Sequence, residues 1–152
     1  MTSVILYNTV YTFDLSEEIK FGSLPTKELQ EVFTDGRASS HLLERQIPYW
    51  FSSLVRQNNC KKEYDFEDNS NKKYEMKTFT KRGCKFCPSN MVGKGRKFDY
   101  NRMKVIASYT DYILCDITEF PIIKIVFKNG NVLLSQYSNT EIKYGEKQNI
   151  FG

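Results

Sequence analysis

The sequence predicts an α/β chain of the α+β kind, a central mixed β-sheet flanked by helices, in a single domain spanning residues 1–152. Three observations predict it. Apolar residues recur at helical spacing over 26–33 and 40–54, while extended runs rich in β-branched and aromatic residues recur from 4–13 to 132–137. The length, 152 residues, buries one sizeable core and not two. No repeat, low-complexity tract or Pro/Gly/Ser-rich linker divides the chain.

Residues 4–13 read as a strand. A helix follows over 26–33, where Thr26 is placed to cap and Leu29, Val32 and Phe33 share a face, and Asp35-Gly36 stops it. From Ser40 the positions of Leu43, Ile47, Trp50, Phe51 and Leu54 draw one apolar stripe, the main core helix, with Ser39 or Ser40 as its cap and Pro48 as a kink or restart. Two extended runs, 61–67 and 72–79, surround the turn formers Asp68-Asn69-Ser70-Asn71 and predict a hairpin. Residues 80–99 read as one long loop, 101–107 as a short helix and 112–118 as a strand. The runs 121–127 and 132–137 are joined by Lys128-Asn129-Gly130-Asn131, whose Asn-Gly pair predicts a C-terminal β-hairpin over 121–137. Residues 138–152 read as a loosely held tail.

Charge narrows the function classes. The net charge is +4 with pI near 8.8, and between Lys61 and Lys104 stand 13 Lys or Arg against 6 Asp or Glu. Positive charge gathered in one third of a chain suits a polyanion, because each phosphate neutralised releases condensed counterions. The N-terminus lacks a signal-peptide pattern and no run reaches the roughly 18 apolar residues of a membrane span. A cytoplasmic, non-secreted protein is expected, with reduced thiols and no membrane partner.

The chemistry concentrates in the first hairpin. A turn centred on Asn69 and Ser70 sets Asp65 opposite or nearly opposite Glu75, with Lys77 two residues further on the same face. Two carboxylates and an amine then converge. Carboxylate oxygens on adjacent strands are hard ligands suited to Mg²⁺, which acidifies a bound water and offsets charge on phosphate oxygens. The competing reading is an exposed, salt-bridged hairpin of little energetic weight. A one-residue slip would bring Glu67 to the site instead, and Asp68 is a further competitor for the Asp65 role.

Asp65, nine intervening residues and then Glu75-Met76-Lys77 resemble the PD-(D/E)xK nuclease superfamily, which includes many type II restriction endonucleases. The resemblance covers residues 39–77 by motif and 112–137 by strand order. It implies a restriction-endonuclease-like core and a Glu supplied by the preceding helix, which Glu44 in SSHLLERQI matches. It further implies Mg²⁺ held by Asp65, Glu75 and Glu44, with Mn²⁺ able to substitute. Lys77 becomes the activating cation, and the activity hydrolysis of phosphodiester bonds in double-stranded DNA, sequence-specific in the restriction manner. The chain departs from the pattern in two places: no Pro precedes Asp65, and no strand is evident between the helix and the Asp-bearing strand. Cutting both strands calls for a homodimer or higher symmetric oligomer, and the C-terminal hairpin is a candidate interface.

The segment after Lys77 reads as the DNA-contacting loop, through Lys81, Arg82, Lys85, Ser89, Asn90, Lys94, Arg96 and Lys97. Gly83, Gly93 and Gly95 would let backbone approach phosphates, and Arg82 and Arg96 are candidates for guanine recognition. Cys84-x-x-Cys87 has the spacing of half a zinc site but lacks a paired CxxC or HxxxH, leaving Cys60, Cys115 and His41 scattered. Packing is the expected role of these cysteines, and His41 is read as structural or as a DNA contact. The alternative function is a non-catalytic zinc-knuckle nucleic-acid-binding protein. A third reading is a small interaction protein with a solvated hairpin.

Overall fold

The computed structural model describes residues 4–57 and 64–152. It contains β1 (Tyr11–Asp14), α1 (Thr26–Phe33), α2 (Gly36–Trp50), β2 (Val55–Arg56), β3 (Phe66–Glu67), β4 (Lys73–Phe79) and β5 (Cys84–Lys85). These are followed by α3 (Tyr100–Tyr109), β6 (Thr110–Asp116), β7 (Ile122–Lys128), α4 (Gly130–Gln136), β8 (Glu141–Ile142) and α5 (Lys147–Phe151). Six strands form one mixed sheet in the order β1-β7-β6-β4-β3-β2, flanked by helices as expected. Among the described residues its one parallel pair is β4 with β6, joined across α3. No helix among the described residues is long and apolar enough to cross a membrane.

The sheet is buried on both faces. On one, Leu43 and Ile47 of α2 pack with Phe66, Tyr74, Met76, Ile113 and Phe127. On the other, Met103 and Ala107 of α3 and Leu133 and Leu134 of α4 pack with Phe79, Tyr112, Leu114 and Val126. Strand β6 is therefore buried along its whole length, as expected of a strand covered on both sides.

Helix α1 lies where its periodicity placed it. Helix α2 begins earlier than expected: Asp35 caps it, Oδ1 accepting from the Arg37 N–H at 2.9 Å, and Asp35-Gly36 starts a helix instead of only ending one. A short polar side chain at a junction serves a stop and a start equally well. Pro48 falls in the last turn, two residues before the helix ends at Trp50. The expected strand over 4–13 shortens to Tyr11–Asp14, because Asn8 turns the chain at φ 60°.

The C-terminal hairpin is overturned. Gly130–Gln136 is helical, with Asn129 accepting from the Val132 N–H at 3.1 Å and the Gly130 N–H donating to buried Asp111 at 2.9 Å. Asn-Gly serves a type I′ turn and a helix start alike, and burial decides between them. Leu133 and Leu134 are neighbours, so a strand would send one to each face, whereas the helix buries both.

The tail is also tied down. β8 pairs with β5, Cys84 opposite Ile142 and Lys85 opposite Glu141, and α5 buries Ile150 and Phe151 beside Phe79. Residues 80–99 are correspondingly less free than a long loop. Cys84, Phe86, Cys87 and Met91 belong to the second core, and a one-turn 3-10 helix occupies Ser89–Met91. Gly83 makes its close approach to protein and not to a phosphate, since a Cβ there would lie 2.2 Å from the Ile142 carbonyl oxygen.

Candidate functional site

Strand register builds the site. Phe66 pairs with Tyr74 and Glu67 with Lys73; Asp65 just precedes the paired residues, its N–H donating to the Tyr74 carbonyl at 3.0 Å, and its side chain comes beside that of Glu75. Because strand side chains alternate, Tyr74 and Met76 enter the first core while Glu75 and Lys77 share the opposite face with Asp65. The expected convergence of Asp65, Glu75 and Lys77 is present. The hairpin's outer residues, 61–63, lie outside the described residues, as does Cys60.

The competitors for Asp65 have other partners. Asp68 closes the turn, Oδ1 accepting from the Ser70 and Lys72 N–H groups at 2.9 Å and Oδ2 from the Tyr74 hydroxyl at 3.2 Å. Glu67 accepts from the Tyr64 hydroxyl at 2.9 Å. Asp65 is anchored through Oδ2, which accepts the Met76 N–H at 2.8 Å.

Asp65, Glu75 and Lys77 line a cleft of about 260 Å³. Its other walls are the segment Phe86 to Asn90 and the α3 residues Arg102, Ile106 and Tyr109. Lys77 Nζ bridges floor and wall, 3.7 Å from Glu75 Oε1 and 3.4 Å from the Cys87 carbonyl, to which it donates. Glu44 reaches the cluster from α2, within electrostatic range of Asp65 and Glu75, with Oε1 3.7 Å from Arg56 Nε on β2. Its side chain is 22% exposed, so it is not a freely solvated group.

Burial and mutual repulsion perturb all three carboxyls. Burial first and then Asp65 push Glu75 up to about 8, and the Glu75 carboxyl shares a hydrogen bond with Asp65. Burial likewise raises Asp65, against the pull of the Met76 N–H and Lys77. Glu44 is raised by burial and by Asp65, with Arg56 opposing. Carboxyls raised by burial and by one another mark a place where a cation would be favoured. The oxygens gathered here, from Asp65, Glu75 and the more distant Glu44, are of the hard kind that divalent ions such as Mg²⁺ prefer. Among the described residues no group of three or more His, Cys, Asp or Glu side chains is placed to hold a metal ion.

A pH dependence follows. The folded Glu75 binds a proton more tightly than the unfolded chain does, so its contribution to stability is complete below the ordinary glutamate range and is lost as pH rises through about 8. In EDTA, melting temperature is expected to fall between roughly pH 5 and pH 9, by about 2–4 °C for each kcal/mol that Glu75 contributed. Glu75→Gln should flatten the fall. An unchanged slope in that variant would mean the proton is held elsewhere.

No family model, curated protein or solved structure matches the chain. What the site can do therefore rests on its own geometry.

The remaining expected residues are distributed unevenly. Ser89 and Asn90 line the cleft. Lys81, Arg82 and Lys85 are exposed and line a second, adjoining groove. Lys94 and Lys97 are exposed and outside the lining of either, while the Arg96 guanidinium turns back to the Ser89 and Val92 carbonyls, at 2.9 and 3.5 Å. Cys84 and Cys87 are buried in the second core, and burial pushes the Cys84 thiol up to about 12. Cys115 belongs to the core on the opposite face of the sheet. His41 is exposed on α2, its carbonyl accepting from Arg45 at 2.8 Å.

Sequence reasoning did not single out Arg102, Tyr109, Tyr64 or Arg56. Arg102, Ile106 and Tyr109 repeat at helical spacing on α3, so a face-by-face reading of the helix expected over 101–107 would have grouped Arg102 with Ile106, and Tyr109 lies just past that expected end. Arg56 lies on a strand of two residues, too short for any periodic signal.

Proposed function

We propose that the chain is a Mg²⁺-dependent endonuclease that hydrolyses phosphodiester bonds in double-stranded DNA, with Mn²⁺ able to replace Mg²⁺. The observation that carries this reading is the single cleft that Asp65, Glu75 and Lys77 line together. The missing strand between helix and Asp-bearing strand is supplied by β2, which pairs with β3. The order helix α2, then β2, β3 and β4 therefore supports the PD-(D/E)xK resemblance more fully than the motif alone.

In this reading Asp65 and Glu75 would hold the ion, with Glu44 on α2 adding a third negative charge nearby. When bound, the ion acidifies a water and offsets the charge growing on the phosphate oxygens. Asp65 is kept in position by the Met76 N–H, which fixes one oxygen. Lys77 Nζ, held between Glu75 and the Cys87 carbonyl, is placed to hydrogen-bond the attacking water or a phosphate oxygen. Arg102, Ser89 and Asn90 on the facing wall are donors toward the phosphate strand. Lys81, Arg82, Lys85, Lys94, Arg96 and Lys97 make up the wider positive surface.

Sequence-specific, restriction-type cleavage by a symmetric dimer is part of the proposal, since both strands must be cut. The interface is not the C-terminal hairpin, which does not form. A cytoplasmic location accords with DNA as substrate. Supercoiled plasmid incubated with purified protein is expected to be nicked and linearised with Mg²⁺ or Mn²⁺ and left intact in EDTA. Cleavage that persists unchanged in EDTA would end the metal-dependent reading. Binding of DNA that requires zinc and ignores Asp65→Asn would favour the zinc-knuckle alternative.

A further inference from the structure

Beside the carboxylate cleft lies a larger open groove, about 1090 Å³, between the start of α2 and the end of β4 with the turn that follows it. Lys77 and Ser89 line both depressions. The two therefore adjoin at Lys77 and Ser89, acidic on the cleft side and basic on the other. The walls are held close: a Cβ on Gly36, the first residue of α2, would lie 2.9 Å from Thr78 Oγ1 on β4.

Four exposed cations line the basic half: Arg37 from α2 and Lys81, Arg82 and Lys85 from the β4–β5 turn and β5. Among the described residues none of them is engaged in an ion pair. Two carboxylates share the groove, Glu31 and Asp35, and Asp35 Oδ1 is already taken by the Arg37 N–H. The hydroxyls of Ser40, Thr78 and Thr80 add short polar groups between the cations. Unpaired cations from two separate elements, facing one groove that opens at a carboxylate cluster, are arranged for a chain of phosphates and not for a single anion.

We propose that this groove holds one sugar-phosphate strand of duplex DNA on one side only of the phosphate in the cleft, with Arg37, Lys81, Arg82 and Lys85 each neutralising a phosphate. The inference rests on the nuclease reading for the position of the reacting phosphate. It divides the basic segment in two: the limb before Ser89 grips the strand. The limb carrying Lys94, Arg96 and Lys97 does not, and Arg96 instead braces the Ser89–Met91 turn. It also adds Arg37, which is remote from that segment in sequence.

The test is fluorescence anisotropy of a labelled random-sequence duplex over a range of salt, with Ca²⁺ in place of Mg²⁺ to hold the duplex uncut. Each phosphate contact contributes about 0.9 to the slope of log K against log salt. The variant with Arg37→Ala, Lys81→Ala, Arg82→Ala and Lys85→Ala is expected to lose about 3–4 from that slope. The pair Arg37→Ala and Lys85→Ala should lose about half as much, and Lys94→Ala with Lys97→Ala less than about 1. All these side chains are exposed, and melting curves check that each variant folds.

A wild-type slope in the four-site variant overturns the groove, as does an equal loss in the Lys94 and Lys97 pair. Wild-type protein with no salt-dependent affinity for duplex DNA overturns it too. Binding is read without cleavage, so the two readings fail separately. A chain that never cuts DNA but loses its slope through the four substitutions keeps the groove and loses the nuclease. One that cuts with wild-type slope after the four substitutions keeps the nuclease and loses the groove.

Discussion

Asp65→Asn is expected to lower plasmid cleavage by at least about 10²–10³-fold, the scale on which losing one preorganised electrostatic group acts in an active site. The reasoning is local. Asparagine keeps the size of the side chain, and its amide oxygen can still accept the Met76 N–H now held by Oδ2 at 2.8 Å, so the hairpin retains its register. What disappears is the negative charge facing Glu75. A divalent ion between strands β3 and β4 then loses an anionic ligand, and Glu75 loses the neighbour that helps to raise it to about 8. Glu75→Gln should act on the same scale through the same ion.

Lys77→Ala supplies the contrast. It removes the amine 3.7 Å from Glu75 Oε1 but none of the carboxylate ligands. Cleavage should fall while Mn²⁺ binding, followed by calorimetry, is kept or strengthened, because a competing cation has gone. If Asp65→Asn cuts at the wild-type rate, or if Lys77→Ala and Asp65→Asn lose metal affinity alike, the roles given to these residues are wrong.

Gly130→Ala is the second large effect, and it concerns folding. The first residue of α4 sits so close to the preceding elements that a Cβ would lie 2.1 Å from the Thr110 carbonyl oxygen and 2.3 Å from that of Ala107. Both obstacles are backbone, so neither yields by a rotamer change. Relief requires α4 to move away from α3 and β6. That would loosen the hydrogen bond from the Gly130 N–H to Asp111 and unpack Leu133 and Leu134. Overpacking against rigid neighbours costs about 1–3 kcal/mol and occasionally more, and a loss of about 3 kcal/mol is expected here. Urea unfolding measures it. A change below about 1 kcal/mol would show that α4 is not held against backbone in this way.

Gly130 also shows why a local pattern that suits a hairpin folds as a helix here. Asn129-Gly130 is chemically suited to a tight turn between strands, and the same two residues suit a helix start packed against a neighbouring carbonyl. The deciding group is Asp111, 19 residues away in sequence, which binds the Gly130 N–H and also accepts from the Tyr7 hydroxyl and pairs with Lys72 at 3.2 Å. The tail is placed by distant contacts in the same way. Ile142, Ile150 and Phe151 have no local periodicity, and only pairing with β5 and packing on Phe79 give them a place.

The candidate site was more legible than the C-terminal third because hairpin geometry is local. A turn at residues 68–71 and a period of two residues fix which side chain on one strand faces which on the next, so Asp65, Glu75 and Lys77 could be grouped without knowing the rest of the sheet. The Asp68 and Glu67 alternatives needed coordinates, since register one step either way differs little in sequence pattern.

By itself the sequence determined the α+β class, helix α1, the core stripe of α2 and the carboxylate-lysine face of the first hairpin. All of these follow from neighbours within one or two turns or one strand pair. Only the tertiary structure decided that Arg37 lines one groove with Lys81, Arg82 and Lys85, that Arg102 and Glu75 line one cleft, and that residues 130–136 coil instead of extending. Each of those depends on long-range burial and on hydrogen bonds that must be satisfied away from water. No local pattern encodes which distant segment will supply them.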